Sequence, residues 1–198
     1  MKNDWHILMI LGGSATGKTI AASNLANQLG LPCIYIDLYR IKLQQKPDTR
    51  SSSFIRLLLA EQTYQKKSYQ ELIKIHQKIS NYVCQISLKQ IKTYLKFKKR
   101  VIIEGDDLTP KFVNNLLRKD KNIKTVCVYE KSLERIKENI KNRDEGEIFP
   151  AENIFQKQLR HAYYNGLFIL QQARKLNITC TPSRPFHTLP KRIMTTLD

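Results

Sequence analysis

Gly12-Gly13-Ser14-Ala15-Thr16-Gly17-Lys18-Thr19 is the stretch that decides the fold of this 198-residue chain. It fits the G-x-x-x-x-G-K-[ST] spacing, which has the mechanics of a phosphate cradle. The glycines let backbone N–H groups curl around nucleotide phosphates, and Lys18 reaches the β- and γ-phosphates. The Thr19 hydroxyl is placed to ligate Mg²⁺. The flanks agree. Ile7-Leu8-Met9-Ile10-Leu11 is an unbroken apolar run, as expected of a strand buried on both faces. After the loop, Ile20, Ala21, Leu25, Ala26 and Leu29 recur at helical spacing, and Gly30 with Pro32 marks the stop. All eight residues from Gly12 to Thr19 are therefore expected to hold a nucleotide.

Beyond this unit, short apolar runs alternate with helical patterns. Cys33-Ile34-Tyr35-Ile36-Asp37 reads as a second strand ending in a carboxylate, and Gln44 to Ser53 as a polar loop. A helical pattern follows from Phe54 to Tyr64, and Ser68-x-x-Glu71 is a capping box opening a long helix to about Lys98. Arg100 to Gly105 is a third strand, Thr109-Pro110 opens a helix, and Lys124 to Tyr129 is a fourth strand. A basic helix from Ser132 to about Arg143 runs into a polar stretch, and a long helix spans about Glu152 to Leu176. Ile178 to Thr181 is a fifth strand, and Leu189 to Leu197 a last helix. Strands alternating with helices imply a parallel sheet covered on both faces.

Composition narrows the classes. No apolar stretch approaches the roughly 18 residues of a membrane span. The first residues run directly into a strand, and Cys33, Cys84, Cys127 and Cys180 are widely spaced, so free thiols in a reducing cytoplasm are expected. The formal charge of +17 has two explanations. One is a nucleic acid or another polyanion. The other is a uniform lysine bias on solvent faces, which the spacing of Lys89, Lys92, Lys96 and Lys99 favours. The four histidines follow no metal-site spacing and read as packing or surface residues, as does Trp5. Tyr163 and Tyr164, with His161, read as core or as lining for an acceptor pocket.

Ligands of open α/β sheets bind beyond the carboxyl ends of the strands, so the residues there are the candidates. Asp37 ends the second strand, with Arg40 one turn on, and Glu104 ends the third, with Asp106 and Asp107 just beyond. Phosphoryl transfer needs positioning and charge neutralisation. In that chemistry Asp37 orients the acceptor hydroxyl and takes its proton, while Glu104 holds Mg²⁺ through its water shell. Arg40 clamps an anionic group on the acceptor, with Asp106 beside it. Arg143, with Arg135 as a weaker candidate, would fold over the nucleotide from a lid at about 141–152. Asp107 reads either as a helix cap or as part of the site.

Together the loop, Asp37-x-x-Arg40 and Ile103-Glu104-Gly105 resemble the small-molecule branch of the P-loop kinases, the nucleoside, shikimate, gluconate and adenylylsulfate kinases. Glu104 to Pro110, and the tail from Ala173 to Leu189, resemble bacterial 2-phosphoglycerate-kinase-like proteins. The resemblance implies one domain over 1–198, with three layers around a five-stranded parallel sheet of order 2-3-1-4-5 and a helical lid. It also implies ATP and Mg²⁺ as cofactors, a hydroxyl-bearing metabolite as acceptor, and Arg184 near the adenine. Leu38 stands where many relatives carry an acid or an aromatic. N-K-x-D and L-S-G-G-Q are missing, which argues against a regulatory GTPase and an ABC ATPase. A polynucleotide kinase and a non-turning-over nucleotide sensor are the rival readings.

Overall fold

The computed structural model describes residues 5–45, 53, 55–56, 60–143 and 150–197. Its strands are β1 (Ile7–Gly12), β2 (Cys33–Tyr35), β3 (Val101–Gly105), β4 (Ile123–Tyr129) and β5 (Cys180–Pro182). All pair in parallel, as the strand–helix alternation predicts, in the order β2-β3-β1-β4-β5 that the resemblance implies. β1 is central, flanked by β3 and β4, and all six of its residues are buried. That is why its sequence is continuously apolar rather than alternating.

The helices described in full are α1 (Lys18–Leu29), α2 (Asp37–Gln44), α3 (Glu61–Lys66), α4 (Tyr69–Lys96), α5 (Pro110–Leu117), α6 (Leu133–Arg143), α7 (Glu152–Lys175) and α8 (Leu189–Thr195). They make the two outer layers. Met9 and Leu11 pack with Leu72, Ile79 and Val83 of α4 and Ile169 of α7. Leu8 and Ile10 face the other way, onto Ala21 and Leu25 of α1 and Leu189 and Ile193 of α8. The period of two in β1 thus divides the core into two halves.

Local signals set the boundaries. The Ser68 hydroxyl accepts the Glu71 N–H at 3.3 Å, and Glu71 accepts the Ser68 N–H at 2.9 Å, completing the capping box. Thr109 caps α5, accepting the Phe112 N–H at 3.3 Å. Three boundaries differ from expectation: the helical pattern of Phe54 to Tyr64 is interrupted at Ala60, whose backbone is extended, and α3 runs separately from Glu61 to Lys66. The second strand stops at Tyr35, because Ile36 gives its N–H to the Glu104 carbonyl and then turns helical, so Asp37 opens α2 instead of closing the strand. The fifth strand starts at Cys180, because Ile178 still donates to Ala173 and completes the end of α7.

The loop expected from Gln44 to Ser53 and the helix start expected at Phe54 lie largely outside the described residues. So do residues 144–149 of the expected lid. Among the described residues no helix is long and apolar enough to cross a membrane, and the four cysteines are free.

Candidate active site

Beyond the carboxyl ends of β1, β2 and β3 opens a cleft of about 620 Å³, lined by residues 14 to 20 and by Asp37, Arg40 and Asp106. The phosphate loop forms its floor. Thr16 Oγ1 donates to the Gly13 carbonyl at 3.0 Å, and Lys18 Nζ donates to the same carbonyl at 3.2 Å. The loop therefore holds its own lysine. Asn139 of α6 clamps it from outside, its side-chain amide donating to the Ala15 carbonyl at 2.8 Å. The Phe186 ring lies against Gly17.

α7 crosses the loop at Gly166. A Cβ on Gly13 would lie 2.7 Å from the Gly166 Cα, backbone against backbone, whereas a Cβ on Gly166 would meet Gly13 at an ordinary 3.6 Å. Gly13→Ala is therefore expected to push the loop off its seat and weaken nucleotide binding about tenfold or more, roughly 1.4 kcal/mol. Gly166→Ala should bind as wild type. Titration calorimetry with ATP separates the two.

Lys18 is buried, at 4 % exposure, and makes an ion pair with Asp106. Burial alone would depress its pKa, but Asp106, Glu104 and Asp37 together raise it above the usual lysine value, so the ammonium stays charged. Asp106 stays ionised, because Lys18 and Arg40 outweigh the cost of its burial. Asp37 is the counterpart. Burial, and then the charge of Asp106, push its carboxyl up to about 7, although Lys18 pulls the other way. Asp37 is held by β3's loop, accepting the backbone N–H groups of Asp106 at 3.4 Å and Asp107 at 3.3 Å. Gly105 makes this approach feasible, since a Cβ there would sit 2.8 Å from Asp37 Oδ1.

Glu104 is 2 % exposed and accepts the Thr19 hydroxyl at 3.0 Å, while its Oε2 is buried without a hydrogen-bond partner. Burial and Asp106 raise its pKa, against Lys18. A hydroxyl and carboxylates, one with an orphaned oxygen, are a donor set suited to a hard divalent cation. Among the described residues no group of three or more His, Cys, Asp or Glu forms a cage for a metal by itself. A cation here would therefore keep waters and share its coordination with phosphates, as Mg²⁺ does.

The structure brings the predicted residues together unevenly. Asp37, Arg40, Asp106, Lys18, Thr19 and Arg143 all line the cleft, Arg143 as an exposed residue at the end of α6 beside Asn142. Arg40 points partly inward, pairing with Asp107 at 3.6 Å. Asp107 is fully buried and caps no helix, since Thr109 does that. It accepts Ser80 Oγ at 2.7 Å and lies 3.6 Å from His76 Nε2. Arg184 follows β5 and donates to Asn139 at 3.1 Å, with its guanidinium stacked 4.8 Å from the Phe186 ring. It thus braces the α6 residue that grips the loop.

The histidine network was not legible in the sequence. Tyr64 OH shares a 3.2 Å hydrogen bond with His161 Nδ1, and His161 stacks 5.3 Å from His76. Burial and His76 depress His161 to about 3, so it is neutral. Tyr164 instead lines a groove of about 500 Å³ between α4 and α7, which shares no lining residue with the cleft. Asn139 and Phe186 also carry no distinctive spacing, although Asn139 lies on the basic helix singled out for its arginines.

No protein-family model matches the chain, and no curated protein matches it either. Solved structures do. A gluconokinase from Sinorhizobium meliloti 1021 superposes with a TM-score of 0.57 at 14 % identity, covering 100 % of this chain and 93 % of that one. A putative kinase from Chloroflexus aurantiacus J-10-fl gives 0.52 at 14 % identity, covering 98 % and 97 %. A shikimate kinase from Bacteroides thetaiotaomicron gives 0.50 at 14 % identity, covering 96 % and 95 %. Identities this low speak to architecture alone. The chain has the three-layer α/β fold of P-loop kinases, with the sheet order 2-3-1-4-5.

Proposed function

We propose that this protein is an ATP-dependent kinase that moves the γ-phosphoryl group to a hydroxyl of a small polar or anionic metabolite. The observation carrying this reading is the meeting of Lys18, Asp37, Asp106 and the Thr19–Glu104 pair at the mouth of one phosphate loop. Three carboxylates against the Lys18 ammonium and the Arg40 guanidinium leave no net positive charge to meet a polyphosphate. Nucleotide binding there calls for a divalent cation, and Thr19 and Glu104 are the residues to hold it, Glu104 through water. When bound, Mg²⁺ would neutralise phosphate charge and hold the phosphates in line for transfer.

The chain's own residues then divide the work. The loop N–H groups from Gly12 to Thr19 and the Lys18 ammonium bind and orient the phosphates. Asp37, poised near neutral pH, takes the proton from the attacking hydroxyl. Asp106 keeps Lys18 aimed across the loop, and Arg40 offers its exposed side to an acidic group on the acceptor. Arg143 lines the cleft from the end of α6, and Arg184, held against Asn139 in the loop after β5, is the residue assigned to the base. The cysteines, all free, are in keeping with a cytoplasmic setting.

ADP release with Mg²⁺-ATP and pooled hydroxy acids, sugars and nucleosides tests the proposal. Acceptor-dependent release with a phosphorylated product is expected. ATP binding with no such release across the pools would instead mark a nucleotide sensor. The metal assignment has its own check. Glu104→Gln should lose the increment in thermal shift that Mg²⁺ adds to ATP in the wild-type protein. A full Mg²⁺ increment in that variant would remove Glu104 from the metal site.

A further inference from the structure

The kinase reading leaves the +17 charge unexplained, because acids in the cleft offset its bases. The surplus is concentrated elsewhere. From Leu72 to Ile103 there are eight Lys or Arg and no Asp or Glu, and from Leu108 to Tyr129 there are five against the single Asp120. In an all-parallel sheet every strand begins on one edge, opposite the cleft. The turn of 97–100 leads into β3 and the turn of 118–122 into β4, with only β1 between them. Two strand spacings, about 10 Å, separate the turns.

Backbone hydrogen bonds weld this edge together. Val101 donates to the His6 carbonyl at 2.9 Å and His6 donates to the Asn122 carbonyl at 2.8 Å. Arg100 stacks 4.3 Å from the Trp5 ring, and Lys98 and Lys99 close the end of α4 by donating to Leu95 and Tyr94. Lys96, Lys98, Lys99, Arg118, Lys119 and Lys121 are all exposed on it. Asp120 spends its Oδ1 on the backbone and side-chain amides of Asn122. Among the described residues of the two turns and the last residue of α4, the six exposed positive charges against the one negative leave +5. The two helix C-termini ending here supply only about half a negative charge each, so helix capping accounts for little of it. Amid the lysines, Phe97 is 60 % exposed, with Lys96 Nζ 5.7 Å from its ring centroid.

We infer that this edge is a docking face for single-stranded nucleic acid, its lysines and arginine neutralising phosphates while Phe97 stacks on a base. A charged track with an exposed aromatic is how such strands are held without sequence preference. A membrane surface would want a broader apolar face than one phenylalanine. The face uses none of the cleft residues, so it stands or falls apart from the kinase proposal.

Fluorescence anisotropy with a labelled 20-nucleotide RNA, and DNA of the same sequence, tests it across a salt series. With four to six phosphates neutralised, the log–log salt slope should be about −3 to −4. A variant combining Lys98→Gln, Lys99→Gln, Lys119→Gln and Lys121→Gln should lose more than about tenfold in affinity and flatten the slope by about 3. Phe97→Ala should lose about fivefold or more. A control combining Lys66→Gln, Lys74→Gln, Lys78→Gln and Lys191→Gln carries the same charge change on other exposed surfaces and should bind nearly as wild type. Both quadruple variants should keep the wild-type ATP-dependent thermal shift, which reports an intact fold. Three outcomes overturn the assignment: equal losses in the control, no binding to either oligonucleotide, or binding only to phosphatidylserine vesicles. Preference between RNA and DNA tells which strand is the natural occupant.

Discussion

Replacing Lys18 by alanine is expected to abolish the ATP-dependent rise in melting temperature and all phosphoryl transfer. It should also destabilise the protein on its own. The ammonium is the buried partner of Asp106 and a counter-charge to Asp37 and Glu104. Removing one member of a buried pair costs about 3–5 kcal/mol, because the other charge is left uncompensated. The pH dependence has a definite sign. Lys18's folded pKa lies above the usual lysine value, so its contribution is complete at every pH below that usual value. Without it the three carboxyls should hold protons more tightly, which lets them neutralise at low pH. The loss in melting temperature should therefore be larger at pH 8 than at pH 5. An unchanged ATP affinity in Lys18→Ala would refute the nucleotide site itself.

Asp37→Asn should leave ATP binding near wild type and reduce transfer by about 10²–10⁴-fold, the usual contribution of a general base. In the wild-type enzyme the acid limb of kcat should rise with a midpoint near the value of about 7 to which burial and Asp106 push this carboxyl. Stability should move the opposite way to activity. An acid whose folded pKa is raised binds its proton more tightly folded than unfolded, so it costs stability as the pH climbs from the ordinary carboxylate range through about 7. Asn removes that cost. The melting temperature of Asp37→Asn relative to wild type should thus be higher at pH 8 and show little gain at pH 5. Wild-type turnover in the variant would take Asp37 out of the mechanism, and a flat difference in melting temperature would contradict its buried, repelled state.

Much of this architecture was written in local patterns. The phosphate loop, the all-apolar β1, the Ser68 capping box and the Thr109-Pro110 start each carry a signal within a few residues, and each stands where its pattern placed it. Glu104 could be read because a strand end in a parallel sheet has one place to go. The partners were harder to read. Asp106 lies at the cleft where its strand end puts it, but its pairing with Lys18 spans 88 residues and no spacing encodes it. Asp107 reads equally as a cap or as a site residue, because acids often precede helices, and the structure gives it to Ser80, Arg40 and His76 from two other elements. The bracing of the loop by Asn139 and by Gly166 is likewise a matter of tertiary approach. A glycine inside a long helix shows its reason only when a second backbone lies across it.

The short helix α2 joins two duties that its geometry keeps apart. Asp37 and Arg40, one turn from each other, are tethered inward to β3's loop, whereas Leu38 and Ile41, likewise one turn apart, stand 47 % and 44 % exposed. Substitution of the outer pair would leave the tethers of Asp37 and Arg40 to β3's loop undisturbed. In a lineage of such chains one flank of this helix is free to vary while its opposite flank stays anchored.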